Sequence, residues 1–264
     1  MATYAIEHHR LSITRACKVV ALPKSMFYYK SIKDDSQVIN KLTELAEKKP
    51  REGQDKYYLR IREEGLIWNY KRVRRIYLIM GLNHRRKLKK RIPSRIKEAL
   101  NQPMNKNQTW SMDFMSDALQ SQRKFRVLNI IDDYNREALW IEVAYSMPSS
   151  FVIAVLERTI GENGKPARIR IDNGPEFCSK EFTEWCESKE IMIQYIQPGK
   201  PMQNGYIERF NRTYRQDILD SYLFTDLDHV TELTQEWLED YNNHRPHESL
   251  GGIAPVKYKV AMAC

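Results

Sequence analysis

The chain has 264 residues, enough for two domains, one of them substantial, and a net charge of +9. That charge is segregated: residues 1–100 carry 25 Lys+Arg against 10 Asp+Glu, and residues 101–264 carry 18 against 24. A basic half beside an acidic half suggests a binding module joined to a carboxylate-bearing catalytic module, and with no apolar run of membrane-spanning length no membrane-spanning helix is expected.

The opening Met1-Ala-Thr-Tyr-Ala5 lacks the basic and apolar regions of a signal peptide. The four cysteines, Cys17, Cys178, Cys186 and Cys264, have no Cys-x-x-Cys spacing and read as reduced thiols of a cytoplasmic protein.

In chain order, residues 11–29 read as helix, turn, helix, with Cys17 and Ala21 supplying the small side chains that a tight crossing needs. Residues 37–49 have Val38, Ile39, Leu42, Leu45 and Ala46 at helical spacing, and residues 55–64 form another helix ending near Gly65. Lys48 to Tyr58 is charged and irregular. Asn69 is a good N-cap for a helix over Tyr70–Met80, and Gly81 a natural stop. Val73, Ile76, Tyr77 and Met80 form its apolar face, with Lys71, Arg72, Arg74 and Arg75 around the rest. The run Arg85-Arg86-Lys-Leu-Lys-Lys-Arg-Ile-Pro93 continues the positive charge without periodic apolar residues, as a linker that tracks phosphates would. A plain solvated helix face would not concentrate cations so densely from Lys71 to Lys97. The domain boundary is expected near residues 100–108, giving a basic helical region over 1–100 and a catalytic core over 101–264.

From Thr109 the pattern changes. Trp110–Leu119, Lys124–Asp132 and Ala138–Ala144 read as strands joined by short gaps, an antiparallel meander. Ser149–Gly161 is an amphipathic helix, Arg168–Asp172 a strand, Lys180–Lys189 a helix and Met192–Ile196 a strand. Asn204–Leu219 and Leu227–Asn242 are helices. The expected fold class is α/β: a mixed sheet with flanking helices, preceded by an all-α helix-turn-helix module.

Three carboxylates stand out. Asp113 sits within a strand, Asp172 closes the run Ala167-Arg-Ile-Arg-Ile-Asp172 and enters Asn173-Gly-Pro175, and Glu208 lies inside a helix. Two strand-borne aspartates and one helix-borne glutamate can hold a pair of hard cations through oxygen, and two such ions clamp the attacking and leaving oxygens of an in-line phosphoryl transfer. A lone Asp before Asn-Gly would more often be a turn-former; Asp117, Asp132 and Asp133 compete, the last two as caps of the turn that Tyr134-Asn-Arg136 makes. Glu208 shares a helical face with Arg212 and Arg215, which could form an ordinary surface ion pair or hold a DNA backbone. Tyr134 and Ser111 lack the clustered basic partners of a covalent nucleophile, and Pro246 breaks the helical register between His244 and His247, which read as a terminal cap or a DNA contact. Trp237, Leu238 and Tyr241 read as core.

The stretches Thr109-Trp-Ser-Met-Asp-Phe114, Ile130-Ile-Asp-Asp-Tyr-Asn-Arg-Glu137, Ile171-Asp-Asn-Gly-Pro-Glu-Phe177, Pro198 to Arg212 and Tyr241-Asn-Asn-His-Arg-Pro-His-Glu-Ser-Leu-Gly251 resemble the second-frame (OrfB) transposases of insertion-sequence-three type bacterial elements, relatives of retroviral integrases. The resemblance covers most of the chain and is strongest from about Asn107 onward. It implies a ribonuclease H-like core, a second helix-turn-helix over about 55–82, and an Asp, Asp, Glu triad with thirty-five residues before the Glu, met here by Asp113, Asp172 and Glu208.

It further implies metal-dependent DNA cleavage at element ends followed by strand transfer. The ion expected at an all-carboxylate site is Mg²⁺, two per site, with Mn²⁺ as substitute. Lys200, Gln203 and Asn204, on the loop entering the Glu208 helix, would touch the reactive DNA end. Partners implied are the terminal repeats, target DNA, further copies of the chain, and an upstream OrfA product, often joined by frameshifting. Retroviral integrases carry a His-His-Cys-Cys zinc module, but His8 and His9 are adjacent with no cysteine pair following, so no zinc is expected. Two rival readings are a DNA-binding regulator with a degenerate core and a nuclease that cuts without joining.

Overall fold

The computed structural model describes residues 1–29, 34–83, 102–197 and 204–261, with 259–261 as backbone alone. The expected phosphate-tracking linker, with Arg85 and Arg86, and the loop residues Lys200 and Gln203 lie outside this set. Whereas charge changes sign near residue 100, the chain divides into compact units at Met1–Glu44 and Leu45–Cys264.

The first unit holds α1 (Ala2–His9), α2 (Ile13–Val19), α3 (Lys24–Tyr28) and the start of α4 (Ser36–Lys48). Ser12 caps α2, its Oγ accepting from Arg15 N at 3.4 Å. The turn between α2 and α3 puts Ala21 at φ 51°, and Leu22 N–H donates to Cys17 O at 2.9 Å, which closes the helix end. Helix α1 is an addition to the elements expected from sequence.

In the second unit, α5 (Gln54–Glu63) and α6 (Tyr70–Ile79) lie where apolar periodicity predicts them. Asn69 Oδ1 accepts from Lys71 N at 2.8 Å and starts α6; Gly81, at φ 69°, ends it. Val73, Ile76 and Tyr77 are buried, Lys71, Arg74 and Arg75 exposed, and Arg72 half-buried.

The sheet strands are β1 (Trp110–Ala118), β2 (Lys124–Asp132), β3 (Ala138–Ala144), β4 (Arg168–Ile171) and β5 (Met192–Tyr195), in the order β3-β2-β1-β4-β5. The first three form the expected antiparallel meander; β4 and β5 add in parallel beside β1. Intervening helices are α7 (Ser149–Asn163) and α8 (Lys180–Ser188); α9 (Gly205–Tyr214), α10 (Leu227–Asn243) and α11 (Pro255–Ala261) follow. The Asn204–Leu219 segment is one α-helix from Gly205 that widens into a π-helical turn over Arg215–Leu219.

Each sheet face buries its own apolar cluster. Trp110, Met112, Leu128, Ile130, Ile169 and Ile171 pack with α7 and α8, through Val152, Leu156 and Phe182. Met115, Val127 and Ile131 pack with α9 and α10, through Ile207, Phe210, Tyr214 and Trp237. Among the described residues, no helix is long and apolar enough to cross a membrane.

Candidate active site

Side chains alternate across a strand. On β1, Trp110 and Met112 enter the α7/α8 cluster, so Ser111, Asp113 and Met115 face α9 and α10. On β4, Ile169 and Ile171 enter the α7/α8 cluster, which turns Arg170 and then Asp172 toward α9. The parallel pairs Trp110 with Ile169 and Ser111 with Arg170, carried on by two residues, set Asp113 alongside Asp172. The middle of β1 and the end of β4 thus set two carboxylates side by side on the α9 face.

Helix α9 supplies the third group and fixes the first. Asn211 Nδ2 donates to Asp113 Oδ2 at 2.8 Å, and Asn129 Nδ2 donates to Asn211 Oδ1 at 2.6 Å. Asn129 is the antiparallel partner of Asp113 and is fully buried in an otherwise apolar row. Glu208 precedes Asn211 by three residues and shares its helix face. Phe114 N–H also donates to Asp113 Oδ1, at 2.8 Å. Asp172 is set by its turn: Gly174 N–H donates to Asp172 Oδ1 at 3.0 Å, and a Cβ on Gly174 would stand 3.0 Å from that same oxygen. A side chain there would press on the carboxylate.

Burial pushes the Asp113 carboxyl up to about 6, and the charges of Asp172 and Glu208 push the same way, against the hydrogen bonds from Phe114 N–H and Asn211. The Asp113 carboxyl therefore feels two other carboxylates and, among the described residues, has no cation as a hydrogen-bond partner. Among the described residues, no three His, Cys, Asp or Glu side chains stand close enough to close on a metal ion as placed. The donor chemistry nonetheless fits a hard divalent cation, because the set is all oxygen and a positive ion would relieve the mutual repulsion.

The competing carboxylates have other partners. Asp132 accepts from Tyr134 N at 2.9 Å and Asn107 N at 2.7 Å, which ties the turn after β2 to the chain entering β1. Asp133, fully buried, accepts from Arg170 Nη1 at 2.6 Å; burial pushes it up to about 6 against the pull of that guanidinium. Asp117 stands 3.4 Å from Arg215 Nη1, and Arg215 Nη2 donates to Ser116 O at 3.0 Å. Arg215 is thus anchored to the end of β1, while Arg212 is exposed beside Glu208. Asn204 is the buried N-cap residue of α9, without a side-chain cap bond. His244 lies 3.3 Å from Glu63, whereas His247 packs edge-on against Tyr241. Trp237 and Tyr241 are buried core, as their spacing predicts.

An integrase core domain family matches residues 103–201, and a second integrase core domain family matches residues 189–255. The chain is 35% identical over 254 residues to the insertion element IS407 uncharacterized 31.7 kDa protein of Burkholderia multivorans, covering 96% of this chain and 92% of that one. The chain belongs to the DDE transposases of bacterial insertion elements, of the insertion-sequence-three type. It is 34% identical to the insertion element IS476 uncharacterized 39.2 kDa protein of Xanthomonas euvesicatoria over 96% of this chain and 74% of that one.

The fold of a simian T-cell lymphotropic virus intasome, solved in complex with PP2A regulatory subunit B56 gamma, superposes with a TM-score of 0.50 at 18% identity, covering 83% of this chain and 73% of that chain. The core is accordingly ribonuclease H-like. As a DDE transposase the chain is a polynucleotidyl transferase of transposition and DNA integration.

The Asn129–Asn211 relay was not read from the sequence. Its signals were faint: an asparagine three residues after Glu208 on one helix face, and one polar residue within the apolar alternation of β2.

Proposed function

We propose that Asp113, Asp172 and Glu208 form the transposase's single reaction centre and serve two successive phosphoryl transfers. In the first, a water attacks the phosphodiester at the element end and frees a DNA 3′-hydroxyl. In the second, that hydroxyl attacks a phosphodiester of the target. Bonds made and broken are both phosphorus–oxygen, so each step conserves bond type and needs no covalent enzyme intermediate. The observation that carries this reading is the alignment of Asp113 with Asp172 across β1 and β4, under a helix whose Asn211 grips Asp113 and whose Glu208 lies one turn away.

The three carboxylates would hold Mg²⁺, two ions with Mn²⁺ as substitute, which supplies charge stabilisation for the attacking and leaving oxygens. Asn211 and the Phe114 N–H keep one Asp113 oxygen each engaged and so fix the carboxylate's rotamer. Gly174 leaves the Asp172 carboxylate unobstructed. Arg212, exposed on the Glu208 face, together with Lys71, Arg72, Arg74, Arg75, Arg85, Arg86, Lys200, Gln203 and Asn204, would contact the DNA; Arg215 contributes through its anchor on β1. We further propose that the enzyme acts in the cytoplasm, as a multimer on paired element ends, with the OrfA product upstream of it.

The test is strand transfer on a labelled element-end duplex in Mg²⁺ by the wild type and by Glu208→Gln, which keeps shape and removes one charge. Joined product from the wild type alone is the expected outcome. Equal product from both would remove Glu208 from the site.

A further inference from the structure

On the side of α9 away from Glu208 lies a second concave site, a cavity of about 140 Å³. Lys56 of α5, Arg136 of the β2–β3 turn, Tyr206 and Arg209 of α9, and Arg245 and His247 after α10 line it. Arg136 is 8% exposed yet has no ion pair among the described residues. Its guanidinium lies 3.6 Å over the Tyr206 ring, and Nη1 donates to Tyr134 O at 3.3 Å. It also occupies a left-handed backbone position, φ 63°, where glycine or asparagine is the usual choice. Lys56 is half-buried, and its ammonium likewise has no hydrogen bond or ion pair among the described residues. His247 Nε2 is buried with no hydrogen-bond partner among the described residues.

The carboxylates nearby are committed elsewhere or open to water. Arg245 Nη1 donates to Asp217 Oδ2 at 2.5 Å and stands 3.6 Å from Glu52, and Glu52 is itself held by Arg60 at 2.7 Å. Glu248 reaches Arg209 only at 3.8 Å, with its side chain 93% exposed. Burial, then the charge of Arg245, bring the Lys56 ammonium down to about 8. Burial, then Arg245, Lys56, Arg209 and Arg136, bring His247 down to about 3. Lys56, Arg136, Arg209 and Arg245 line one cavity with the His247 imidazole, and of these Lys56 and Arg136 have no side-chain ion pair among the described residues.

We infer that this cavity binds a phosphate-type oxyanion at a point separate from the Asp113, Asp172 and Glu208 carboxylates. Guanidinium forks, an ammonium and a ring nitrogen converging from four chain segments match a tetrahedral oxyanion with several acceptor oxygens. At roughly 30 Å³ per water-sized group, the volume holds such an anion with attendant water. The source we assign is a backbone phosphate of bound DNA, which rests on the reading of this chain as a DNA-acting transposase. A phosphate gripped behind α9 would fix the helix that carries Glu208.

The test reads binding rather than cleavage, so it stands apart from the Glu208→Gln assay. Thermal unfolding of the full chain is measured in inorganic phosphate and in sodium chloride at matched ionic strength, for the wild type, Lys56→Gln and Arg209→Gln. Phosphate should raise the wild-type Tm by a few degrees and leave both variants nearly unmoved. Lys56→Gln removes a desolvated like charge, so its Tm without phosphate should equal or exceed that of the wild type, which controls for folding. Binding of a labelled duplex is then followed against salt. A DNA phosphate in the cavity predicts that each variant's log–log slope becomes shallower by about 0.9. A phosphate-dependent Tm shift with unchanged slopes would overturn the DNA source and assign the site to free phosphate. No Tm shift and unchanged slopes would overturn the site altogether.

Discussion

Asn211 converts a helix position into a fixed carboxylate, and its removal is the sharpest test of that geometry. Among the described residues, replacing it with Leu leaves Asp113 the Phe114 N–H alone and leaves the buried Asn129 Nδ2 with Met115 Sδ in place of an oxygen acceptor. Strand transfer should fall by about 10- to 100-fold, and the Mg²⁺ needed for half-maximal rate should rise, as for other groups that orient metal ligands. Duplex binding should stay at the wild-type level; wild-type rates at wild-type Mg²⁺ would mean that Asn211 does not position Asp113. His247 makes a second prediction, in pH. Its folded pKa, about 3, lies below the ordinary 6.5. As pH falls through about 6.5 the unfolded chain takes up a proton that the folded chain refuses, so its contribution is complete above 6.5 and declines toward 3. Asp113 and Asp133, both raised to about 6, act in the opposite direction between their ordinary values and 6. The wild type should therefore lose stability relative to His247→Asn as pH falls from 6.5 to 4.5, by at most ~1.4 kcal/mol per pH unit. Parallel curves in urea titrations would sink the assignment. Asp113, Asp172 and Glu208 stand out as candidates in the sequence because order, spacing and flanking residues agree. Asn129 and Lys56 do not, because their roles depend on strand register and helix docking that no local pattern encodes.

Elements show the same division. The strands and α6 were readable because period-2 alternation, Asn69 and Gly81 are local signals. The stretch Lys48 to Tyr58 looked irregular because its order comes from charges paired far along the chain. Glu52, 2% exposed, accepts from Arg60 Nε at 2.7 Å and Nη2 at 2.8 Å. The same guanidinium donates to both Asp240 oxygens at 2.9 Å, and Lys49 stands 3.0 Å from Asp240. Asp217 takes up Arg245 and, at 3.0 Å, Trp237 Nε1. Helix α5 is thus fastened to α10 by buried ion pairs, where no apolar stripe would announce it. Removing one member strands the rest in low dielectric: Arg60→Leu should cost about 3–5 kcal/mol of unfolding free energy. A triple change that also replaces Glu52 and Asp240 with apolar residues should recover much of that loss. Urea unfolding of the three proteins checks this, and a loss under ~1 kcal/mol for the single variant would show that the pairs are solvated and weak.

For the whole molecule, the decisive property is where charge lies relative to the chemistry. The carboxylates of the proposed reaction centre would repel a polyanion, so affinity for DNA has to come from cations placed elsewhere. The sequence puts 25 of its 43 Lys+Arg in the first 100 residues. On α6, Lys71, Arg74 and Arg75 are exposed on a helix whose other face, Val73, Ile76 and Tyr77, is buried. As the proposed grip on phosphates, that arrangement would be sequence-independent, and its strength would fall steeply with salt as counterions compete. Lys71 and Arg74 are exposed, so replacing both with Gln should leave the fold and the carboxylate geometry unchanged. Duplex affinity should drop, and the log–log salt slope should become shallower by roughly 0.9 for each phosphate no longer neutralised, close to two for the pair. The rate of chemistry at saturating DNA should hold, because neither side chain belongs to the reaction centre. A slope that does not change would place the phosphate grip on other cations of the basic half; a collapse of the saturated rate with an unchanged slope would put α6 in the reaction rather than in binding.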